Sequence, residues 1–283
     1  MFGMVNYKPD RPESEDEHST DKHIQWLQQS FKSRKSSDEH KVDTLMGLTL
    51  YKRRDDILSG DSIKDVVQKY PWLTTGSDSV LKEFRRISDI DINGNFVNFL
   101  NLYGETILKV LGTNSKNIVL KNLLGTTASA DEKYAAGCAV VLALCELLKE
   151  DPAYLLGIVL PEPKEHPVFI LYTDADQFLD VTSFKVFVDG VSICECGDFV
   201  EAFLTYLSTF SVFNLEYTKN LTRVLLFCER VIIQITGDKH RTLSKDEKRV
   251  ISLLSCLNDA KGGSKSVKPQ KRPKVLHKKS SVH

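Results

Sequence analysis

Between Leu155 and Ile235 short apolar runs flank an Asp189-Gly190 pair and lead into two segments that are apolar on one face only. Asp-Gly between two apolar runs favours a type I′ hairpin, because both central residues of that turn need positive φ, which glycine adopts freely and aspartate tolerates. The pattern predicts strands at Leu155–Leu160, Val168–Tyr172 and Phe184–Val188, with Val191–Cys194 returning from the turn. Two helices follow. Phe199, Phe203, Tyr206, Leu207 and Phe210 mark the first; Leu221, Leu225, Cys228, Val231, Ile232 and Ile235 mark the second, with Arg223, Arg230 and Gln234 on its polar side. Aromatic stripes at this spacing build a core rather than a cofactor pocket, so the stretch reads as a folded module and not as a catalytic loop.

Upstream the periodicity is helical. Ile63, Val66, Val67 and Tyr70 share one helical face, Asp61 is a candidate N-cap, and Pro71 ends the helix by pushing Tyr70 out of helical conformation. Val80, Phe84 and Ile87 form a second stripe, and Phe96, Leu100, Tyr103, Ile107 and Leu111 a third of about four turns. Ser129 and Glu132 have capping-box spacing ahead of Tyr134–Lys149, which is apolar on nearly every side and belongs in an interior. A last helix is expected over Lys245–Asn258. Residues 1–40 are polar and expected to be disordered, with Ile24, Leu27 and Phe31, beside Trp26, forming at most a short amphipathic turn.

With 41% hydrophobic residues the chain has material for one sizeable core or two smaller ones. No apolar run is long enough to span a bilayer, since Ala135–Leu148 is short and holds Glu146, and residues 1–21 lack the pattern of a secretory signal. An intracellular chain without disulfides is expected, with Cys138, Cys145, Cys228 and Cys256 as small core residues. Cys194 and Cys196 point to one face of a strand, but no further Cys or His pair supplies a zinc set. Formal charge balances overall, yet no acidic residue follows Asp259 while eight Lys and Arg do.

Sites of chemistry are sparse. Asp89-Ile-Asp91-Ile-Asn93-Gly94-Asn95-Phe96 matches the start of a calcium loop, but its twelfth position is Leu100 where a bidentate Glu is needed, and an Asn-Gly turn explains the same letters. Asp174, Asp176 and Asp180 flank a loop where carboxylates stay in water, and no phosphate-binding glycine loop accompanies them. His166 and His240 are expected as solvent-facing loop histidines. Lys52-Arg53-Arg54 and Arg85-Arg86 have the spacing of a solvated helix face that is also able to meet phosphate. In the tail, Lys268, Lys271, Arg272, Lys274, Lys278 and Lys279 alternate with prolines and serines, which suits a nuclear-import address or a loose nucleic-acid arm as well as a plain solubilising tail.

The segments LMGLTLYKRRDDILSG, YPWL, EFRRI, the LPEP turn, FKVFVDGVSICECGDFVEAFLTYLSTFSVFNLEY and LLFCERVIIQI resemble the C-terminal region of the sterile alpha motif domain-containing protein 3 family over Val42–Ile235. The likeness rests on the order and spacing of aromatic and acidic landmarks, and it implies no catalytic residues. Residues 1–40 are too short and too polar for the five-helix sterile alpha motif bundle, so functions of that bundle do not carry over.

These observations predict an α+β protein in which a mostly helical N-terminal half packs with a small antiparallel sheet and C-terminal helices, with disordered ends. The expected segments are 1–40, 41–127 (helical), 128–260 (α+β) and 261–283 (basic tail). The expected function is non-enzymatic: an intracellular protein-interaction module, in the nucleus or alternatively the cytoplasm, with a protein partner, no membrane, no cofactor and no metal. The alternative is a nucleic-acid-associated protein using the tail with Lys52, Arg53, Arg54, Arg85 and Arg86.

Overall fold

The computed structural model describes residues 6–33, 38–112, 115, 117–125, 132–164, 166–173, 178–234 and 242–262. Helix α1 (Glu17–Ser33) starts at Asp16, whose Oδ1 accepts the Ser19 N–H at 2.7 Å while the Ser19 hydroxyl accepts the Asp16 N–H at 2.9 Å. This reciprocal pair satisfies donors that a helix start leaves bare. Ile24 and Leu27 are buried, and the Trp72 indole donates to the Leu27 carbonyl at 2.8 Å. Residues 17–33 are therefore an integral helix, which corrects the expectation of disorder across 1–40. A short apolar stripe holds a helix once another element covers it, as Trp72 does here.

Helices α2 (Glu39–Leu48) and α3 (Leu50–Leu58) precede α4 (Ile63–Lys69). The cap of α4 is Ser62, whose hydroxyl accepts from Asp65 N at 3.2 Å, and not Asp61. Tyr70 leaves the helix before Pro71, as the pre-proline restriction requires, and a 3₁₀ turn (Pro71–Thr74) leads to α5 (Ser77–Ser88) with Val80, Phe84 and Ile87 buried. Helices α6 (Ile92–Phe99) and α7 (Glu105–Leu111) are joined by a π turn at Leu100–Gly104 into one rod. The wider turn shifts the buried face. Phe96, Phe99 and Ile107 are buried, while Leu100, Tyr103 and Leu111 are only partly covered.

Helix α8 (Ile118–Gly125) packs on α9 (Glu132–Leu148), the interior helix that its all-round apolar sequence predicts: Cys138 to Cys145 are buried without a break. Ser129 of the expected capping box lies outside the described residues.

Strands β1 (Leu156–Gly157), β2 (Val168–Tyr172), β3 (Phe184–Val188) and β4 (Val191–Cys196) lie side by side in that order. β2, β3 and β4 form the expected antiparallel meander, but β1 runs parallel to β2, so the sheet is mixed. β1 stops at Gly157, well before the expected Leu160, and Ile158, Val159 and Leu160 are exposed beyond it. Asp189 and Gly190 take φ of 47° and 75°, the type I′ turn.

Helix α10 (Phe199–Val212) lies across the sheet and also packs on α5. Helix α11 (Thr222–Val231) ends before the expected Ile235, because the N–H groups of Ile232 and Ile233 both fold back to the Cys228 carbonyl. Helix α12 (Lys245–Gly262) runs past Asn258 and packs on α11, α7 and α9. A single apolar cluster extends from Ile24 through α9, the sheet and α10 to Leu257.

Candidate functional site

The basic pair Arg53-Arg54 is internal, against the expectation of a solvated face. Both side chains are wholly buried. Arg53 donates through Nε and Nη2 to the two carboxylate oxygens of Glu83 at 2.6 and 2.9 Å, and also to the Met46 carbonyl at 2.8 Å. Arg54 reaches the Tyr7 carbonyl at 2.9 Å and the Ser211 and Val212 carbonyls at 3.0 and 2.8 Å, serving as a C-terminal cap for α10. Helical periodicity hid this, because a helix gripped on two sides buries residues that a single amphipathic stripe assigns to water. Neither guanidinium is open to phosphate, so Arg53 and Arg54 drop out of the expected basic face. Arg85 is exposed, whereas Arg86 pairs with Asp43 and Glu83.

Several other ionisable residues have structural partners. Asp56 accepts from Lys69 Nζ and Tyr70 Oη, each at 2.6 Å, and faces Lys52 Nζ at 2.9 Å. Burial pushes the Asp56 carboxyl up, but these donors outweigh burial and hold it below 3.8. Asp91 caps α6 by accepting Gly94 N–H at 3.1 Å, and Asp89 ends α5 in a left-handed conformation, so the calcium-like letters spell a helix–turn–helix junction. Glu150 places one oxygen on each of the Arg223 and Val224 N–H groups at 2.9 Å, capping α11 from the end of α9. His166 is half-buried rather than fully solvent-facing: its ring stacks on Tyr154 at 4.9 Å and meets the edge of Phe169 at 5.4 Å. Asp180 lies in a 3₁₀ turn, while Asp174, Asp176, His240 and the tail residues Lys268, Lys271, Arg272, Lys274, Lys278 and Lys279 lie outside the described residues.

Cys138, Cys145 and Cys228 are buried as expected, Cys194 and Cys196 are buried too, and Cys256 is exposed, which corrects its assignment to the core. The sulfurs of Cys194 and Cys196 are 3.8 Å apart on the inner face of β4. Burial pushes the Cys138 and Cys145 thiols up to about 12, which removes their nucleophilic form at neutral pH. Among the described residues no three His, Cys, Asp or Glu side chains converge on a metal position, and no helix is long and apolar enough to cross a membrane.

What the fold does leave open is an apolar groove of about 700 Å³ between the α6–α7 rod and the starts of α9 and α10. Leu100 and Leu108 from the rod, Val140 from α9 and Val200 from α10 line it, and Val97, 56% exposed, stands on its rim. The π turn helps to shape it by bringing Gly104, which lacks a side chain, against Val140: a methyl group there would sit 3.7 Å from the valine. Its charged lining residues, Glu105 and Asp198, are both acidic. The sequence assigned Leu100 and Phe96 to a core stripe and gave Val97 no role; an aliphatic residue beside the stripe rather than on it was the available signal.

The family described as the helical domain of sterile alpha motif domain-containing protein 3 matches residues 20–75, which run from α1 through the Pro71–Thr74 turn. The human sterile alpha motif domain-containing protein 3 is 26% identical over 233 residues, covering 81% of this chain and 44% of its own length. The mouse protein of the same name is 24% identical over 243 residues, covering 81% and 45%. The chain thus spans less than half the length of these relatives. No solved structure matches.

Proposed function

We propose that this chain is a non-enzymatic protein-interaction module that receives an aliphatic segment of a partner, flanked by basic residues, in the groove between α6–α7, α9 and α10. The single observation that carries this reading is the groove itself: an apolar floor rimmed by two carboxylates and by the exposed Val97. Exposed apolar surface of this kind is costly in water and marks contact sites. The buried ionisable groups support the same reading, since Arg53, Arg54, Asp56 and Glu150 are held by partners inside the fold.

The test compares capture by the full chain with capture by Val97→Asp and by Leu102→Asp, which is equally exposed but does not line the groove. A protein retained by wild type and by Leu102→Asp, lost by Val97→Asp, and bound again when purified supports the groove. A partner retained equally by both variants counts against it.

Nuclear residence belongs to the same proposal, resting on Lys268, Lys271, Arg272, Lys274, Lys278 and Lys279 as an import address. A fluorescent fusion in which Lys271, Arg272 and Lys274 are replaced by alanine should shift to the cytoplasm. An unchanged distribution would remove this part.

A further inference from the structure

We infer that the chain's own tail occupies the groove, with Val275 and Leu276 on the apolar floor and the lysines beside them at Glu105 and Asp198, so that it competes with the partner. This rests on the groove being a contact site, as proposed above, and adds its regulation.

Four observations converge on this occupant. The described chain ends on α12, and α12 delivers the tail to the rod that forms the groove: Lys261 Nζ lies 3.7 Å over the Tyr103 ring, and Asn258 is 3.4 Å from the Tyr103 hydroxyl. Tyr103 is adjacent in the π turn to Gly104 and three residues from Leu100, both of which line the groove. Reach is ample, because a chain of the length between Gly262 and Val275 spans at most about 40 Å, at roughly 3.3 Å per residue. Charge also matches: residues 263–283 carry seven Lys and Arg and no acid, whereas the charged lining of the groove is Glu105 and Asp198. Glu105 already meets Lys109 at 2.5 Å, but that pair is exposed and leaves the carboxylate open to a second cation.

The fourth observation is apolar. Val275-Leu276 is the one adjacent aliphatic pair in the tail, set between Lys274 and Lys278-Lys279, which is the pattern the groove asks for. Tethering then removes the need for high affinity, since a segment joined to the same chain meets the groove at an effective concentration on the order of 1 mM. A separate partner must exceed that to enter.

The test is zero-length carbodiimide coupling of the full chain, an equal mixture of ¹⁴N- and ¹⁵N-labelled protein, read by mass spectrometry of the cross-linked peptides. The expected result is coupling of Lys274, Lys278 or Lys279 to Glu105 or Asp198 within one isotopic species. Leu276→Asp should reduce its yield about tenfold, the loss expected when a buried leucine contact is replaced by repulsion. An unfolding midpoint for Leu276→Asp equal to that of wild type separates loss of the contact from loss of the fold. Coupling spread over other surface acids, or indifferent to Leu276→Asp, overturns the inference. Coupling between light and heavy chains also overturns it, and assigns the groove to a second copy. These outcomes are separate from the Val97→Asp capture test: a partner lost by Val97→Asp with no tail coupling preserves the groove and removes only the tail.

Discussion

Arg53 and Glu83 form a two-pronged ion pair in which neither side chain is more than 1% exposed. The pair ties α3 to α5, and Arg54 beside it ties α3 to the end of α10. The helical N-terminal region and the sheet-bearing region are thereby joined by polar bonds as well as by a continuous apolar cluster.

Breaking that pair on one side strands a buried charge. Glu83→Ala, which leaves Arg53 without its carboxylate, should destabilise the chain by about 3–5 kcal/mol, read as the urea midpoint, and Arg53→Ala by less, because Arg86 still meets Glu83. Arg85→Ala, at an exposed position two residues further along the same helix, should stay within about 0.5 kcal/mol. A small effect at Glu83 would mean that the pair is hydrated and not interior.

Glu150 offers a different kind of test. Burial pushes its carboxyl above the ordinary range despite the Arg223 and Val224 N–H groups and the nearby Arg223 guanidinium. The site therefore needs an acceptor more than it needs a charge. Glu150→Ala, which leaves two helix N–H groups bare, should cost about 2 kcal/mol, whereas Glu150→Gln should cost less than about 1 kcal/mol. Equal costs would show that charge is what matters there.

Acid should weaken the α3–α4 contact through Asp56. Its folded value is lowered below 3.8, so its contribution is fully present above that pH and is lost as pH falls through the folded value. Asp56→Asn should therefore flatten the acid limb of a stability-versus-pH curve below 3.8. A parallel curve offset by a constant would contradict this linkage.

Thiol chemistry should single out one residue. In the native chain Cys256 should react at once with an aromatic disulfide reagent, while the other five of the six cysteines should react only on unfolding. Rapid native labelling of Cys194 or Cys196 would show that β4 opens readily.

Much of this fold was legible because single residues had local consequences. Asp189-Gly190 specified its hairpin through φ, Pro71 ended α4, and the unbroken apolar run of α9 identified an interior helix. Other features depended on long-range neighbours. Residues 17–33 look solvated until Trp72 covers Leu27, and Arg53 looks solvated until Glu83 arrives from α5. The parallel placement of β1 was equally hidden, since alternation within a strand carries no direction for its neighbour. The groove was the least legible of all. Its residues follow a normal core stripe, and only the π turn and the approach of α9 and α10 leave part of that stripe uncovered.

The most direct measurement is a binding titration of the purified partner against wild type, Val97→Asp and Leu102→Asp, with each variant first shown to unfold at the wild-type midpoint. Affinity at least tenfold weaker for Val97→Asp and unchanged for Leu102→Asp is the expected result. Equal affinity for all three would place the contact surface elsewhere and contradict the groove as the working site of this protein.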